Sequence, residues 1–359
     1  MIAAGFLAPA AVYALVSALH LVVPARRVDG YVIDPRTSRP HRYRLNGLLV
    51  FTLTLAIWAG ACASGLLAWD FFWTTRWEGL AGACSIGVAF TLAIVLGAPP
   101  TGKSLAADLY LGRRANPQWL GGHVDAKMWL YLVGATMLEI NVCSFAMHQR
   151  LAFPDEPSPG AALYVALFSF FLCDYLFFER VHLYTYDFFA ERVGFKLGWG
   201  CLVFYPYFYG VGLWSVADRP DPHASTPVLV ASAVAFFAGW SLARGANMQK
   251  YTFKRDPRAK FLGVLAPEVV TDGERSLLVS GFWRVSRHVN YLGELLMATG
   301  LTLSLGRPGA LTAWLYPLYY VALLVPRQRD DDRRCAAKYG SLWTEYVARV
   351  PYRIVPGLY

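Results

Sequence analysis

The sequence predicts an all-α, polytopic membrane protein with about nine to ten transmembrane helices. Three observations lead there. The 359-residue chain is 56% hydrophobic and only 16% charged, against about a quarter charged for soluble domains. Its apolar residues gather in blocks, most of them near the ~20-residue length of a bilayer-crossing helix. Its basic residues fall overwhelmingly on one side of those blocks.

The apolar blocks lie at 4–24, 46–69, 80–98, 127–148, 161–178, 197–216, 226–246, 290–305 and 310–326. The first has no basic region ahead of it and is followed by an arginine-rich loop, so it reads as a spanning helix rather than a cleaved signal. The block 290–305 is short, and a tenth span broken by polar residues would escape this reading. With the N-terminus outside, the far-side loops hold only Arg76, Arg150, Arg219 and Arg307, and the other 29 of 33 basic residues fall on the cytoplasmic side. That split is a strong positive-inside signal and places the C-terminus in the cytoplasm. The net charge of +9 then reflects loops facing anionic lipid and calls for no nucleic acid. The six cysteines show no CxxC or secreted-framework spacing and read as buried small hydrophobes rather than disulfides or metal ligands.

Polar residues that interrupt this pattern mark where function lies. Residues 245–260, GANMQKYTFKRDPRAK, carry Lys250 and Lys254 four apart on one helical face. Alone this is a juxtamembrane basic patch or a phosphate site. Residues 277–296 read LLVSGFWRVSRHVNYLGELL. Continued as a helix, Arg287, Asn290, Tyr291 and Glu294 share a face. An interfacial anchor explains the Trp, Arg and Tyr but not Asn290 and Glu294 on the same face. In 174–200, Asp174 sits inside the apolar run LFSFFLCDYLFF, where an acid is costly and by default functional. Tyr175, Glu179, His182 and Tyr186 follow with helical spacing. The single Glu-x-x-His falls short of a carboxylate-bridged di-iron set, and no metal is expected. The tail 327–359 places Asp330, Asp331 and Asp332 between arginines, a salt-bridged exposed helix or a run with one acid turned inward. GAPPTGKS at 97–104 matches the phosphate-loop spacing by chance, because a membrane helix rather than a strand precedes it.

These clusters, in this order, resemble the sterol reductase family: the membrane enzymes that reduce C14, C7 or side-chain C24 double bonds of sterols, and the sterol reductase domain of the lamin B receptor. The matching stretches are LGRRANPQW with Asp125 and Lys127, Asp174 with Glu179, TYD…ERVGFKLGWG, N-x-Q-K-x-x-F-K, LLVSGFWRVSRHVNYLGEL, and DDDRRCAAKYG…W…Y…VPYRIVPGLY. They divide the chain into N-terminal transmembrane helices (1–104) and a reductase-like core (105–359) whose NADPH-binding half is about 244–359. The resemblance implies an NADPH-dependent reductase with a cytoplasm-facing C-terminal cofactor pocket. Lys250 and Lys254 would hold the phosphates. Leu278, Trp283, Asn290 and Tyr291 would line the nicotinamide and ribose, Arg287 and His288 belong to the same motif, and Glu294 stands where the family has an acid. Asp331 would be the acid near cofactor and substrate.

An isolated C=C is a poor hydride acceptor and must be protonated first or as hydride arrives. That requires an acid kept protonated by burial, with Asp331, Glu179 and Asp174 as the candidates. An apolar sterol would enter laterally from the bilayer lipid. Three positions depart from ring-reducing members, which commonly carry Tyr, His and Asp where this chain has Phe171, Ala190 and Cys201. These departures point weakly to a side-chain double bond or another substrate. The main alternative is a membrane methyltransferase of the isoprenylcysteine carboxyl type using S-adenosylmethionine, which shares RH…Y…G…E followed by Y…VP. A non-catalytic sterol-binding protein is the third reading. Oligomeric state, and an endoplasmic-reticulum as against a bacterial inner membrane, stay open at this level.

Overall fold

Long apolar helices carry the fold, and short polar hairpins join them. The computed structural model describes residues 2–34 and 37–359; Arg36, one of the basic residues counted for the first cytoplasmic loop, lies outside them. Contacts divide the chain into two compact units, Met1–Pro222 and His223–Tyr359.

The first unit holds α1 (Ile2–Val22), the hairpin β1 (Arg26–Asp34) and β2 (Arg39–Leu45), α2 (Gly47–Ala63), α3 (Arg76–Leu96), the two-residue strands β3 (Gln118–Trp119) and β4 (Val124–Asp125), α4 (Ala126–Ala152) and α5 (Pro159–Phe177). The second holds α6 (Thr226–Arg255), the hairpin β5 (Val269–Thr271) and β6 (Ser276–Leu278), α7 (Val289–Ser304), α8 (Leu315–Tyr339) and α9 (Ser341–Arg349). Among the described residues, five helices are long and apolar enough to cross a bilayer: α1, α3, α4, α5 and α6; α2 is apolar but shorter. The chain is an integral membrane protein, mostly helical.

Three differences from the sequence reading have clear causes. The chain is not purely α. Residues 26–45 form an antiparallel hairpin, because Val28 and Tyr43 face each other inward across the ladder while Arg27 and Arg42 on the other face are exposed. That period of two is masked by the charge density of the loop. The block 197–216 is not one continuous helix. It breaks into Phe195–Trp199, a π-helical turn Gly200–Phe204, Tyr205–Phe208 and Val211–Trp214, as its glycines and Pro206 favour. One of those turns packs so closely on α4 that a Cβ at Gly134 would meet the Cys201 carbonyl at 2.5 Å. Finally, the block 310–326 and the charged run after it form one helix, α8, which continues through Pro326.

Helix α4 is the core of the first unit, with Leu130, Val133, Met137, Leu138 and Phe145 fully buried. Its N-terminus is capped by Asp125, whose carboxylate accepts from the Lys127 and Met128 N–H groups at 3.0 and 3.1 Å. The buried Lys127 ammonium donates to the carbonyls of Asp187 at 2.6 Å and Glu191 at 2.8 Å. This staple ties the stretch with Asp125 and Lys127 to TYD…ERVG, and it gives both motifs a structural role.

In the second unit, α6 and α7 pack through small residues. A Cβ at Gly293 would meet the Ala243 nitrogen and the Gly239 carbonyl, both at 2.5 Å, and one at Gly300 would meet the Ser232 carbonyl at 2.6 Å. In lipid, where apolar burial drives helices together only weakly, such close backbone approach supplies the attraction. Gly293→Val is therefore expected to force α6 and α7 apart and cost about 3 kcal/mol, read as a lowered unfolding midpoint in detergent. Substitution to Val at the open, exposed Gly309 is the control and is expected to leave the midpoint within error.

Candidate active site

The C-terminal unit gathers most of the residues proposed for cofactor binding. Leu278 and Trp283 are buried in one cluster with Ala246 and Val289. The Trp283 indole N–H donates to the Ala246 carbonyl at 2.9 Å, which fixes the ring against α6. Lys250, one turn further along α6, lies 5.1 Å above the ring centroid, a cation–π contact worth roughly 0.5–1 kcal/mol. Gln249 closes the same region by donating to the Ser280 carbonyl at 3.1 Å and accepting from the Phe282 N–H at 3.0 Å. Hence the N-x-Q-K element and the SGFW element meet, with the amide locking the loop and the lysine left toward the ring.

Arg287 sits differently from the sequence reading. Helix α7 begins at Val289, and His288 is its N-cap residue. Arg287 therefore precedes the helix and does not share a helical face with Asn290, Tyr291 and Glu294. Its backbone N–H donates to the Tyr352 carbonyl at 2.9 Å, and that of His288 to Arg353 at 2.8 Å. The chain pairs with the C-terminal tail here instead of entering the helix. The buried Arg287 guanidinium donates to the carbonyls of Val350 and Pro351, each at 2.9 Å, and to Asp332 at 3.3 Å. Asp332 also faces His288 at 3.6 Å and Arg353 at 3.6 Å. Burial raises the Asp332 carboxyl, but His288 and Arg287 more than offset this and hold it below the usual carboxylate range. His288 stacks on Tyr291 with centroids 4.9 Å apart.

Asp332 is thus the member of the acidic run that turns inward to the RH motif, a choice the sequence left open among the three acids. Asp331 lies beside Cys335, whose thiol is pushed up to about 12, first by burial and then by that carboxylate, with Lys250 and Lys338 acting in the opposite sense. This is the end of the unit where α6 and α8 bring lysines and an acid together. Around Arg287 several buried polar atoms have no hydrogen-bond partner among the described residues: Ser286 Oγ, His288 Nε2, Asn290 Oδ1 and Asp332 Oδ1. Glu294 is half-buried on α7. The tail completes the network, with Tyr359 Oη donating to Gln328 and accepting from Arg329 and Arg353. The signal for this role was the VPYRIVPGLY stretch, legible as a motif but not as a contact.

The other two acids belong to the N-terminal unit. Helix α5 ends at Phe177, so the spacing linking Tyr175, Glu179, His182 and Tyr186 does not stay on one helix. Instead His182 folds back, its ring 3.9 Å from that of Tyr175. Glu179 accepts from the Gly47 N–H at 3.1 Å, at the N-terminus of α2. Burial pushes its carboxyl up to about 7, with the Gly47 N–H pulling the other way. Asp174 is half-buried on α5. Glu139, on α4, was not singled out although it meets the same criterion as Asp174. It is buried, accepts from Ser169 and Cys143, and its Oε2 has no partner among the described residues.

Asp332→Ala would leave the buried Arg287 guanidinium without its counter-charge. The expected loss is about 3 kcal/mol, measured by chemical unfolding near neutral pH. Because the folded Asp332 carboxyl is depressed, its contribution is present above its unfolded value of about 4 and is lost as pH falls through the folded value. The gap between wild type and variant should therefore narrow in acid.

Comparison with known proteins places these motifs. The profile of the family described as "Ergosterol biosynthesis ERG4/ERG24 family" matches residues 5–359. A Delta(14)-sterol reductase of Arabidopsis thaliana is 32% identical over 351 residues, spanning 94% of this chain and 91% of the relative. A Delta(14)-sterol reductase of Methylotuvimicrobium alcaliphilum is 30% identical over 368 residues, spanning 96% and 80%. The Delta(14)-sterol reductase TM7SF2 of Mus musculus is 34% identical over 252 residues, spanning 70% and 59%. With the motifs in order and the match running nearly end to end, the chain belongs to the ERG4/ERG24 family of ergosterol biosynthesis proteins.

Proposed function

We propose that the chain is a Δ14-sterol reductase that uses NADPH to saturate a ring double bond of a sterol drawn from the bilayer. The observation that carries the cofactor assignment is the set of orphaned buried atoms around Arg287. Asn290 Oδ1 is an acceptor and Ser286 Oγ a donor, each buried without a hydrogen-bond partner among the described residues. Unpaired buried polar groups are costly, and these match the carboxamide and ribose hydroxyls of a nicotinamide nucleotide. Lys250, with Lys254 one turn on, supplies the positive charge that phosphates require. The residues fit the group. Lys250 and Lys254 would hold the phosphates, Leu278 and Trp283 would wall the ring, and Asn290, Tyr291 and Glu294 would meet the polar parts. Bound NADPH supplies the hydride.

The protein's own task is then a proton and a dry site. Protonation of the alkene at one carbon leaves a tertiary cation at the other, and the proton must come from an acid that is neutral near pH 7. Asp331, Glu179 and Asp174 are the candidates, and Glu179 has the required acidity because burial outweighs its one hydrogen bond. The relatives' names favour the ring Δ14 bond over the side-chain bond that Phe171, Ala190 and Cys201 pointed to. The charge asymmetry of the loops supports a cytoplasmic C-terminal half, where NADPH is available, and nine or ten spans.

NADPH is expected to raise the thermal midpoint of the purified protein, with S-adenosylmethionine giving no shift. Stabilisation by S-adenosylmethionine alone would overturn the reductase reading. Lys250→Ala should weaken NADPH by roughly 10–100-fold, the cost of a lost charge-assisted contact, and NADH less; equal weakening removes the 2′-phosphate role. For Glu179 the sign is fixed by its raised value. The folded state holds the proton more tightly, so stability falls as pH rises from about 4.5 to about 7 and is flat above. Glu179→Gln should abolish that fall. As the proton donor, Glu179 should also give a rate that declines above about pH 7, and Glu179→Gln should lower kcat by at least roughly 100-fold. An unchanged profile moves the role to Asp331 or Asp174.

A further inference from the structure

In the C-terminal unit, the segment between α6 and β5 carries an exposed apolar apex. The Phe261 N–H donates to the Leu265 carbonyl at 2.9 Å, and the Leu265 N–H returns to the Phe261 carbonyl at 3.0 Å. These bonds close a tight loop over Leu262, Gly263 and Val264. Leu262 and Val264 are 79% and 80% exposed. Leu262 has a φ of 54°, a left-handed conformation that a bulky side chain adopts only at a cost. The loop therefore presents an apolar side chain outward against its backbone preference.

Contacts at the stem fix the depth of this apex. Phe261 is buried, its ring edge-on to Phe282 with centroids 6.3 Å apart. Phe282 in turn covers Gly245 of α6, where a Cβ would run into its ring, and Leu265 packs on Gly281 beside Gln249. The stem is thus level with residues 245–249 of α6. It does not lie out at the helix end, Arg255, which is about 15 Å beyond Gly245. Along α6 no charged side chain precedes Arg244. The uncharged stretch 226–243 is about 27 Å long, close to the ~30 Å of the hydrocarbon core. Gly245 therefore marks the membrane–water boundary, and the loop is anchored at that depth. Arg258 and Lys260 precede the apex and Arg284 follows Phe282; all three are exposed.

We propose that residues 258–265 form a lipid-inserting loop. Leu262 and Val264 enter the leaflet beside the C-terminal end of α6, and Arg258, Lys260 and Arg284 meet anionic phosphate headgroups. Apolar side chains at the apex and basic ones around it are the two contributions that hold a surface segment in the interface of an anionic bilayer. The bilayer is already present at this depth, because α6 crosses it. The proposal rests on α6 as a membrane span and is independent of the reductase reading.

The test uses the full chain in nanodiscs and a polyethylene glycol maleimide, which stays in water, with the labelled peptides read by mass spectrometry. Leu262→Cys and Val264→Cys place a thiol at the apex. Glu274→Cys, in the exposed turn between β5 and β6, is the water-facing control. A thiol in lipid is shielded and ionises less readily, so both apex positions should react at least roughly 10-fold more slowly than the control in phosphatidylcholine. Adding phosphatidylglycerol should slow them further relative to the control. Arg258→Glu combined with Lys260→Glu should remove that second effect while leaving the unfolding midpoint unchanged. Apex thiols as reactive as the control, or no response to phosphatidylglycerol, overturn the proposal. Protection that appears only with two chains per disc assigns the apex to a second copy of the chain and overturns it as well.

Discussion

The buried guanidinium of Arg287 is the interaction on which the C-terminal unit depends. A charge with so little exposure needs partners, and its two terminal nitrogens find them in two tail carbonyls and in Asp332 on α8, while Nε has none among the described residues. Satisfying it ties three separated stretches together: the turn before α7, the charged half of α8 and the residues after α9. Asp332 in turn orients His288, and His288 stacks on Tyr291. The segment entering α7 is thereby fixed in place. That is what allows Asn290 to present a buried acceptor with no hydrogen-bond partner among the described residues, a costly arrangement unless a ligand completes it.

In the N-terminal unit the same physics works through the membrane. Lipid offers no partners to polar groups, so each buried one is either paired or functional. Lys127 is paired, by backbone carbonyls of 187–191. Glu179 is partly paired, by one N–H at the start of α2, and burial raises its carboxyl against that pull. Glu139 is paired on one oxygen only among the described residues.

Much of this was legible in the sequence because it rests on local order. The long apolar blocks became helices, and Lys250, Leu278, Trp283 and Arg287 all fall in one unit as their motif order implied. What escaped was non-local or periodic on another scale. Nothing in DDDRR says which acid faces inward; that is decided by where the tail returns, and it selects Asp332 for Arg287. The hairpin 26–45 was hidden because its arginines dominate a hydropathy average. Asn46, His20 and Arg44 meet at its base, with His20 Nδ1 2.6 Å from Asn46 and Arg44 bonded to carbonyls at the end of α1, a junction no linear spacing announces. The break in 197–216 was written in its glycines and Pro206, but hydropathy does not weigh backbone freedom.

Family membership, the orphaned Asn290 acceptor near Arg287 and the cationic end of α6 support the proposed reaction, in which a hydride from NADPH and a proton from the protein are added across the Δ14 bond of a sterol. The most direct measurement uses NADPH deuterated at the transferable position, a Δ14-unsaturated sterol and the purified protein in detergent, with the product read by mass spectrometry. The account predicts a saturated product carrying one deuterium from the cofactor and one hydrogen from solvent. Unchanged sterol under conditions where NADPH binds, or a product without deuterium, would contradict it.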